Sequence, residues 1–113
     1  MADQAEREVP EGAAVFPLIP IELGVDPLLL ALLHAAVFLS GSGDDVVEPA
    51  AATEALEYVA TYLQRLGGPQ IQRIGEDLDV LTNYASSEGW PKQEVQFLKS
   101  FLANLGVGEK STA

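Results

Sequence analysis

Four prolines divide this chain at nearly even intervals: Pro27, Pro49, Pro69 and Pro91. Each begins a stretch with helical spacing of apolar residues, and each stretch closes on glycine: Gly41, Gly67-Gly68, Gly89 and Gly106. Proline suits the first helical position because its missing N–H has no intrahelical partner there and its φ is already helical. Glycine just past the last turn adopts the left-handed conformation that ends a helix. The pattern therefore predicts an all-α fold of four helices.

The spacing of apolar residues favours one compact bundle over a repeat array. In the third helix, isoleucines stand at the second and fifth positions after proline, Ile71 and Ile74. In the fourth helix, the corresponding apolar residues stand at the fourth and seventh positions, Val95 and Leu98. Because the helices share no register, a solenoid is disfavoured. Short connections then predict antiparallel neighbours in a bundle.

The first helix is apolar on every side. Asp26 is its predicted N-cap, and the helix runs from Leu28 to about Ser40 with His34 as its one polar interruption. A helix that is apolar all round is buried on most of its faces. We therefore predict that this helix is central to the bundle or lies at the centre of an oligomer.

An apolar arm, residues 15–24, precedes this helix. Pro17 and Pro20 disfavour helix in the residues before them and favour extended or polyproline geometry. The arm is nevertheless too apolar for a solvated linker, since it contains Phe16, Leu18, Ile19, Ile21 and Leu23. We expect it to pack on this chain or on another copy.

The domain organisation follows from these segments. Residues 1–14 are acidic and show no apolar period, so we expect them to be disordered. Residues 15–106 form a single helical domain that includes the arm. Residues 107–113 are predicted to be a flexible tail.

Charge limits the partners of this protein. The chain has 17 acidic and 6 basic residues, a net charge of −11, which disfavours nucleic acid and anionic membrane surfaces and leaves a basic protein as a possible partner. The apolar run 28–39 is too short to span a bilayer. The first residues of the chain, Met1–Glu6, are acidic and unlike a secretory signal, so we expect a cytoplasmic location.

No cofactor or metal site is predicted. The sole histidine, His34, is interpreted as a core residue, because no Glu-x-x-His motif supplies neighbouring ligands. The paired acids Glu54 and Glu57, and likewise Glu76 and Asp79, lie opposite the apolar stripes of their helices and are interpreted as solvated. The chain has no cysteine, so thiolate ligands are excluded.

Two sets of residues are candidates for function. Glu94 falls inside the apolar stripe of the fourth helix, so Glu94 and His34 are candidates for an internal pocket. Val80 and Tyr84 lie on a second face of the third helix, away from the Leu78 stripe. Together with four arm residues they make the predicted interaction surface: Phe16, Leu18, Ile19, Ile21, Val80 and Tyr84.

These features predict a non-catalytic helical module for protein–protein interaction that forms a homo-oligomer. The first helix has more apolar surface than three short neighbours require, and the arm is apolar without being regular. The alternative is a small-molecule-binding or enzymatic bundle with a pocket around His34 and Glu94. A polar-lined pocket favours the alternative, whereas a dry core favours the module.

Overall fold

The computed structural model describes residues 11–107, and within that range the chain is helical without strands. Its four helices are α1, Pro27–Gly41; α2, Pro49–Leu63; α3, Gly68–Ser87; and α4, Lys92–Asn104. A 3-10 turn, Ile21–Leu23, precedes α1. The predicted all-α bundle of four helices is confirmed. The parts of the predicted disordered terminus and tail at 1–10 and 108–113 lie outside the described residues.

The prolines mark the helix starts to within one residue. Pro27 and Pro49 are the first residues of α1 and α2. The side chain of Asp26 accepts a hydrogen bond of 3.0 Å from the Leu28 N–H, as predicted for an N-cap. At α3 the proline is the second helical residue, and at α4 Pro91 is the N-cap.

The glycines end only some of the helices as predicted. Gly89 and Gly106 adopt left-handed φ angles of 75° and 72°. For Gly67 the prediction is wrong, since its φ is −79° and it precedes α3. It is also wrong for Gly41, the last helical residue of α1. A Cβ on Gly41 would lie 2.9 Å from the Cβ of Ala14, so glycine is required there by the close approach of the arm.

The arm and the residues 12–14 that precede it pack on their own chain and run antiparallel to α1. Gly43 donates its N–H to the Gly12 carbonyl at 2.8 Å, and Ala14 donates its N–H to Ser42 Oγ at 2.9 Å. Further along the arm, the side chain of Phe16 is buried in the core. The folded region thus reaches further than residue 15 at its N-terminal side, and buried Val107 extends it beyond residue 106.

The arm is not extended throughout. Gly24 donates its N–H to the Ile21 carbonyl at 3.0 Å, and Leu23 donates to the Pro20 carbonyl at 3.2 Å. These bonds form the 3-10 turn. No proline follows Pro20 within the turn, so nothing prevents residues 21–23 from coiling before α1 begins.

The hydrophobic core lies between the arm, α1, α3 and α4. These elements, with Val25 between the arm and α1, supply its buried members: Phe16, Val25, Leu29, Leu33, Ala36, Leu78, Leu81, Ala85, Leu98 and Phe101. The closest-packed helix pairs are α1 with α2 and α3 with α4. By contrast, α2 reaches this core only through Leu56, which is half-buried. The second helix is therefore a peripheral element that packs on α1.

Candidate functional site

One face of α1 carries four apolar residues exposed to solvent: Leu28, Ala31, Ala35 and Phe38. We call this set the outer face. Leu28 is 79% exposed and Phe38 is 40% exposed. Their spacing of three, four and three residues places them along one side of the helix. The opposite side carries the buried residues Leu29, Leu33 and Ala36. A helix that is apolar all round thus buries only one of its sides in this chain.

The two flanks of the outer face are covered differently. On one flank lies the arm, whose Phe16 ring meets the His34 ring edge-on at 5.1 Å between centroids. On the other flank lies α2, and there Leu32 and Leu39 of α1 are half-buried. The outer face is therefore an open strip between the arm and α2.

The strip is uncharged in an otherwise acidic protein. No Asp, Glu, Lys or Arg occurs from Pro27 to Gly43, although the chain has a net charge of −11. Exposed apolar surface without charge is typical of an interaction site on a protein. The outer face combines both properties.

The arm adds exposed apolar residues beside this strip. Val15, Leu18 and Ile21 are exposed, the last two at 82% and 92%. They recur at intervals of three residues along the arm, and Ile21 is the first residue of the 3-10 turn. We call Val15, Leu18 and Ile21 the arm face.

The remaining predicted arm residues turn inward. Phe16 belongs to the core, and half-buried Ile19 packs against it. The predicted interaction surface is therefore divided within the arm: Leu18 and Ile21 are available to a partner, whereas Phe16 holds the arm on its own bundle.

An aromatic chain connects the arm to the second face predicted on α3. The Phe16 ring meets the Trp90 ring at 5.6 Å, and Trp90 meets Tyr84 at 6.1 Å, both edge-on. Tyr84 is half-buried, whereas Val80 is exposed. The structure thus uses Tyr84 in packing around Trp90 and leaves Val80 at the surface.

Of the two pocket candidates, only Glu94 borders the groove beside the arm. Glu94 is exposed and borders a groove of about 280 Å³ that is also lined by Phe16, Val37 and Phe97. His34 is half-buried with its ring against Phe16, and it is not among the residues that line this groove. The expected combination of imidazole and carboxylate around one space is therefore absent from this groove.

Two larger apolar grooves flank α2. One, of about 400 Å³, lies between α2 and α4 and is lined mainly by Leu56, Ala60, Phe97 and Phe101. The other, of about 540 Å³, lies where α1, α2 and α3 meet. Both grooves arise because α2 lies at the edge of the core, so neighbouring helices cover its surface only in part.

Residues 11–107 contain no group of three histidines, cysteines or carboxylates arranged to hold a metal ion. Among the helices of the same range, none is both long enough and apolar enough to cross a membrane.

Sequence reasoning missed the outer face as a distinct site. The available signal was that α1 is apolar on all sides, and this signal does not indicate which side is exposed. Tyr58 and Tyr62, which flank the apolar stripe of the second helix in the sequence, are exposed, and the Arg65 guanidinium lies 4.8 Å from the centre of the Tyr62 ring.

Comparison with known proteins gives no family model, no curated protein and no solved structure that matches this chain.

Proposed function

We propose that this protein is a non-catalytic helical interaction module that self-associates through the outer face of α1. The single observation that carries the proposal is an exposed, wholly apolar and uncharged helix face in a chain of net charge −11. Burying this face against a partner removes its apolar side chains from water, and the face itself carries no carboxylate.

The size of the face predicts a weak to moderate affinity. A helix of 15 residues is about 22 Å long, and only four of its side chains form the strip. Interfaces of this small size fall in the transient class. We therefore expect monomers and oligomers to exchange at micromolar concentration or above.

The alternative, a small-molecule or enzymatic bundle around His34 and Glu94, has less support. His34 does not line the groove that Glu94 borders, and the ring of His34 packs against a phenylalanine instead of a second polar group. A basic protein partner and a cytoplasmic location remain predictions from the sequence.

Light scattering tests the proposal. The wild-type mass should rise above the monomer mass of 12.0 kDa as the protein is concentrated from low micromolar to millimolar. Ala35→Glu places a charge in the middle of the outer face and should keep the protein monomeric. Ala35 is exposed, so the variant should fold normally.

A matched change provides the control. Ala50→Glu introduces the same charge at an exposed alanine of α2 and should associate as the wild type does. A wild-type protein that stays monomeric at every concentration would refute the proposal. Equal effects of the two substitutions would show that net charge, and not the outer face, governs association.

A further inference from the structure

We propose that the groove between α2 and α4 binds a basic amphipathic helix of another protein. We call this space, of about 400 Å³, the α2–α4 groove. From α1 it uses Ala36 and Ser40, which do not belong to the outer face, so the inference does not depend on self-association.

The α2–α4 groove is a trough between two helices that run in the same direction. Gln64 Nε2 donates a hydrogen bond to the Leu105 carbonyl, which places the end of α2 beside the end of α4. Thr53 of α2 and Phe97 of α4 both lie earlier in their helices and both line the groove. From Phe97 to Leu105 the groove extends about 12 Å, or about two helical turns.

The lining of the groove is mainly apolar and leaves space for large side chains. Leu56 of α2 forms one wall, and Phe97 and Phe101 of α4 form the other, with their rings edge-on at 5.6 Å between centroids. From α1 only the small residues Ala36 and Ser40 reach the groove. The space that they leave unfilled can take leucine or phenylalanine side chains of a partner.

The helical walls favour a helical partner. Within α2 and α4 the backbone N–H and C=O groups are paired inside each helix, so neither wall offers an edge to an extended segment. A helix satisfies its own backbone and inserts apolar side chains at spacings of three, four and seven residues. Two helical turns are the length over which one such set of side chains extends.

The rim of the groove is acidic. Glu57 lies on its α2 side. Two smaller hollows continue from the groove, one sharing Phe97 with it and including Glu94, the other sharing Leu56 with it and including Asp44. All three carboxylates are on exposed residues. The apolar lining is therefore flanked by negative charge on three sides.

The basic side chains within residues 11–107 lie away from this rim. Arg73 lines the groove where α1, α2 and α3 meet, and Lys92 and Lys99 line a hollow beside α3 and α4. Arg65 lies over the Tyr62 ring at the end of α2. Lysine or arginine residues on either side of a partner's apolar stripe would thus meet carboxylates at this groove. The outer face of a second copy carries no cation, so it does not match this rim.

A synthetic peptide tests the chemistry of the partner. The probe is a fluorescein-labelled peptide of about 15 residues, made only of leucine and lysine with leucines three and four apart, since shorter helices are marginal in water. One control peptide has the same composition with its leucines scattered, and the other has glutamate in place of lysine. In fluorescence anisotropy with dilute protein at physiological salt, both controls should bind about tenfold or more weakly than the probe, because each lacks either the stripe or the charge.

Substitutions in the protein locate the site. Ala60→Trp fills the groove from its α2 wall and should abolish binding, whereas Ala103→Trp, at an exposed position of α4, should leave binding unchanged. Glu57→Lys, at an exposed residue that can change without disturbing the fold, should weaken binding roughly fivefold. Glu76→Lys makes the same charge change on the exposed side of α3 and should weaken binding by less than about twofold.

Three results would overturn the proposal. The first is no binding of the leucine–lysine probe, or equal binding of the probe and either control peptide. The second is an equal effect of Glu57→Lys and Glu76→Lys. The third is loss of binding in Ala35→Glu with full binding in Ala60→Trp, which would place the peptide on the outer face. None of these results changes the mass in light scattering, so self-association is tested separately.

Discussion

Replacing Phe16 by alanine removes the side chain that fixes the arm to the bundle. Phe16 is 4% exposed, and its ring lies edge-on against both His34 and Trp90. The substitution leaves the backbone hydrogen bonds of Gly12 and Ala14 in place. It therefore separates the contribution of one buried ring from that of the whole arm.

The expected loss of stability is large for a single residue. Truncation of a buried phenylalanine to alanine costs about 3–5 kcal/mol, and the cost is lower where the site can collapse. Because the arm lies at the surface of the bundle and can settle inward, we expect about 3 kcal/mol. At about 4–8 °C per kcal/mol for a domain of this size, the melting temperature should fall by about 12–24 °C.

Urea denaturation followed by far-UV circular dichroism measures this change. The protein is kept dilute so that self-association does not contribute to the free energy of unfolding. Leu18→Ala is the matched control, since Leu18 belongs to the same arm but is exposed. Its free energy of unfolding should stay within about 0.5 kcal/mol of the wild type.

Two results would contradict this reasoning. If Phe16→Ala changed the free energy of unfolding by less than about 1 kcal/mol, the ring would not be buried as described. If Phe16→Ala and Leu18→Ala were equally destabilising, the inward and outward sides of the arm would have been assigned incorrectly.

Three further predictions concern the arm, two glycines and the hydrogen bond made by the side chain of Gln64. Removing residues 1–23 should lower the melting temperature at least as much as Phe16→Ala, whereas removing residues 1–10 should change it little, as differential scanning fluorimetry would show. In thermal unfolding, Gly75→Ala should raise the free energy of unfolding by about 0.5–1 kcal/mol, because the added Cβ meets no atom within 4 Å. Gly41→Ala should lower it, because the added Cβ displaces the arm. Gln64→Ala removes the 2.7 Å hydrogen bond that Gln64 Nε2 donates to the carbonyl of Leu105, the C-cap residue of α4. It should speed amide hydrogen exchange in α2 more than in α3.

Local chemistry made the helices predictable from the sequence. The geometry of proline and the side-chain cap of Asp26 act within one helical turn, so they need no knowledge of the rest of the fold. The predictions for Gly41 and Gly67 failed because neither glycine ends a helix in the left-handed conformation: Gly41 is the last helical residue of α1, and Gly67 precedes α3. Gly41 makes room for Ala14, a residue far away in the chain, and no local rule anticipates that contact.

The sequence could not predict which side of α1 faces the core. Leu28 and Leu29 are identical in chemistry and adjacent in sequence, yet the first is exposed and the second is buried. Which one turns inward depends on where α3 and α4 dock. A helix with apolar residues on all sides gives no periodic signal to distinguish these choices.

The arm shows the same division between local and distant causes. Its apolar residues predicted correctly that it packs on something. That Phe16 would find Trp90, while Leu18 would stay outside, depends on the position of the α3–α4 pair. In the second helix the 3.6-residue period predicts an apolar stripe made of Ala52, Ala55, Leu56, Val59, Leu63 and Leu66. This stripe is only partly buried for a related reason, because Leu66 lies beyond the end of the helix and α2 sits at the edge of the core.

The contact between Phe16 and Trp90 has a consequence for how the chain folds during synthesis. The two residues are separated by most of the length of the domain, so closing this contact carries a larger loop entropy than pairing α3 with α4. The arm leaves the ribosome before its binding site exists, and at ordinary rates of translation the delay is on the order of ten seconds. During that interval the apolar arm stays exposed, because the helices that cover it have not yet been made. The arm is therefore the last part of the domain to fold into place, although it is synthesised before the helices.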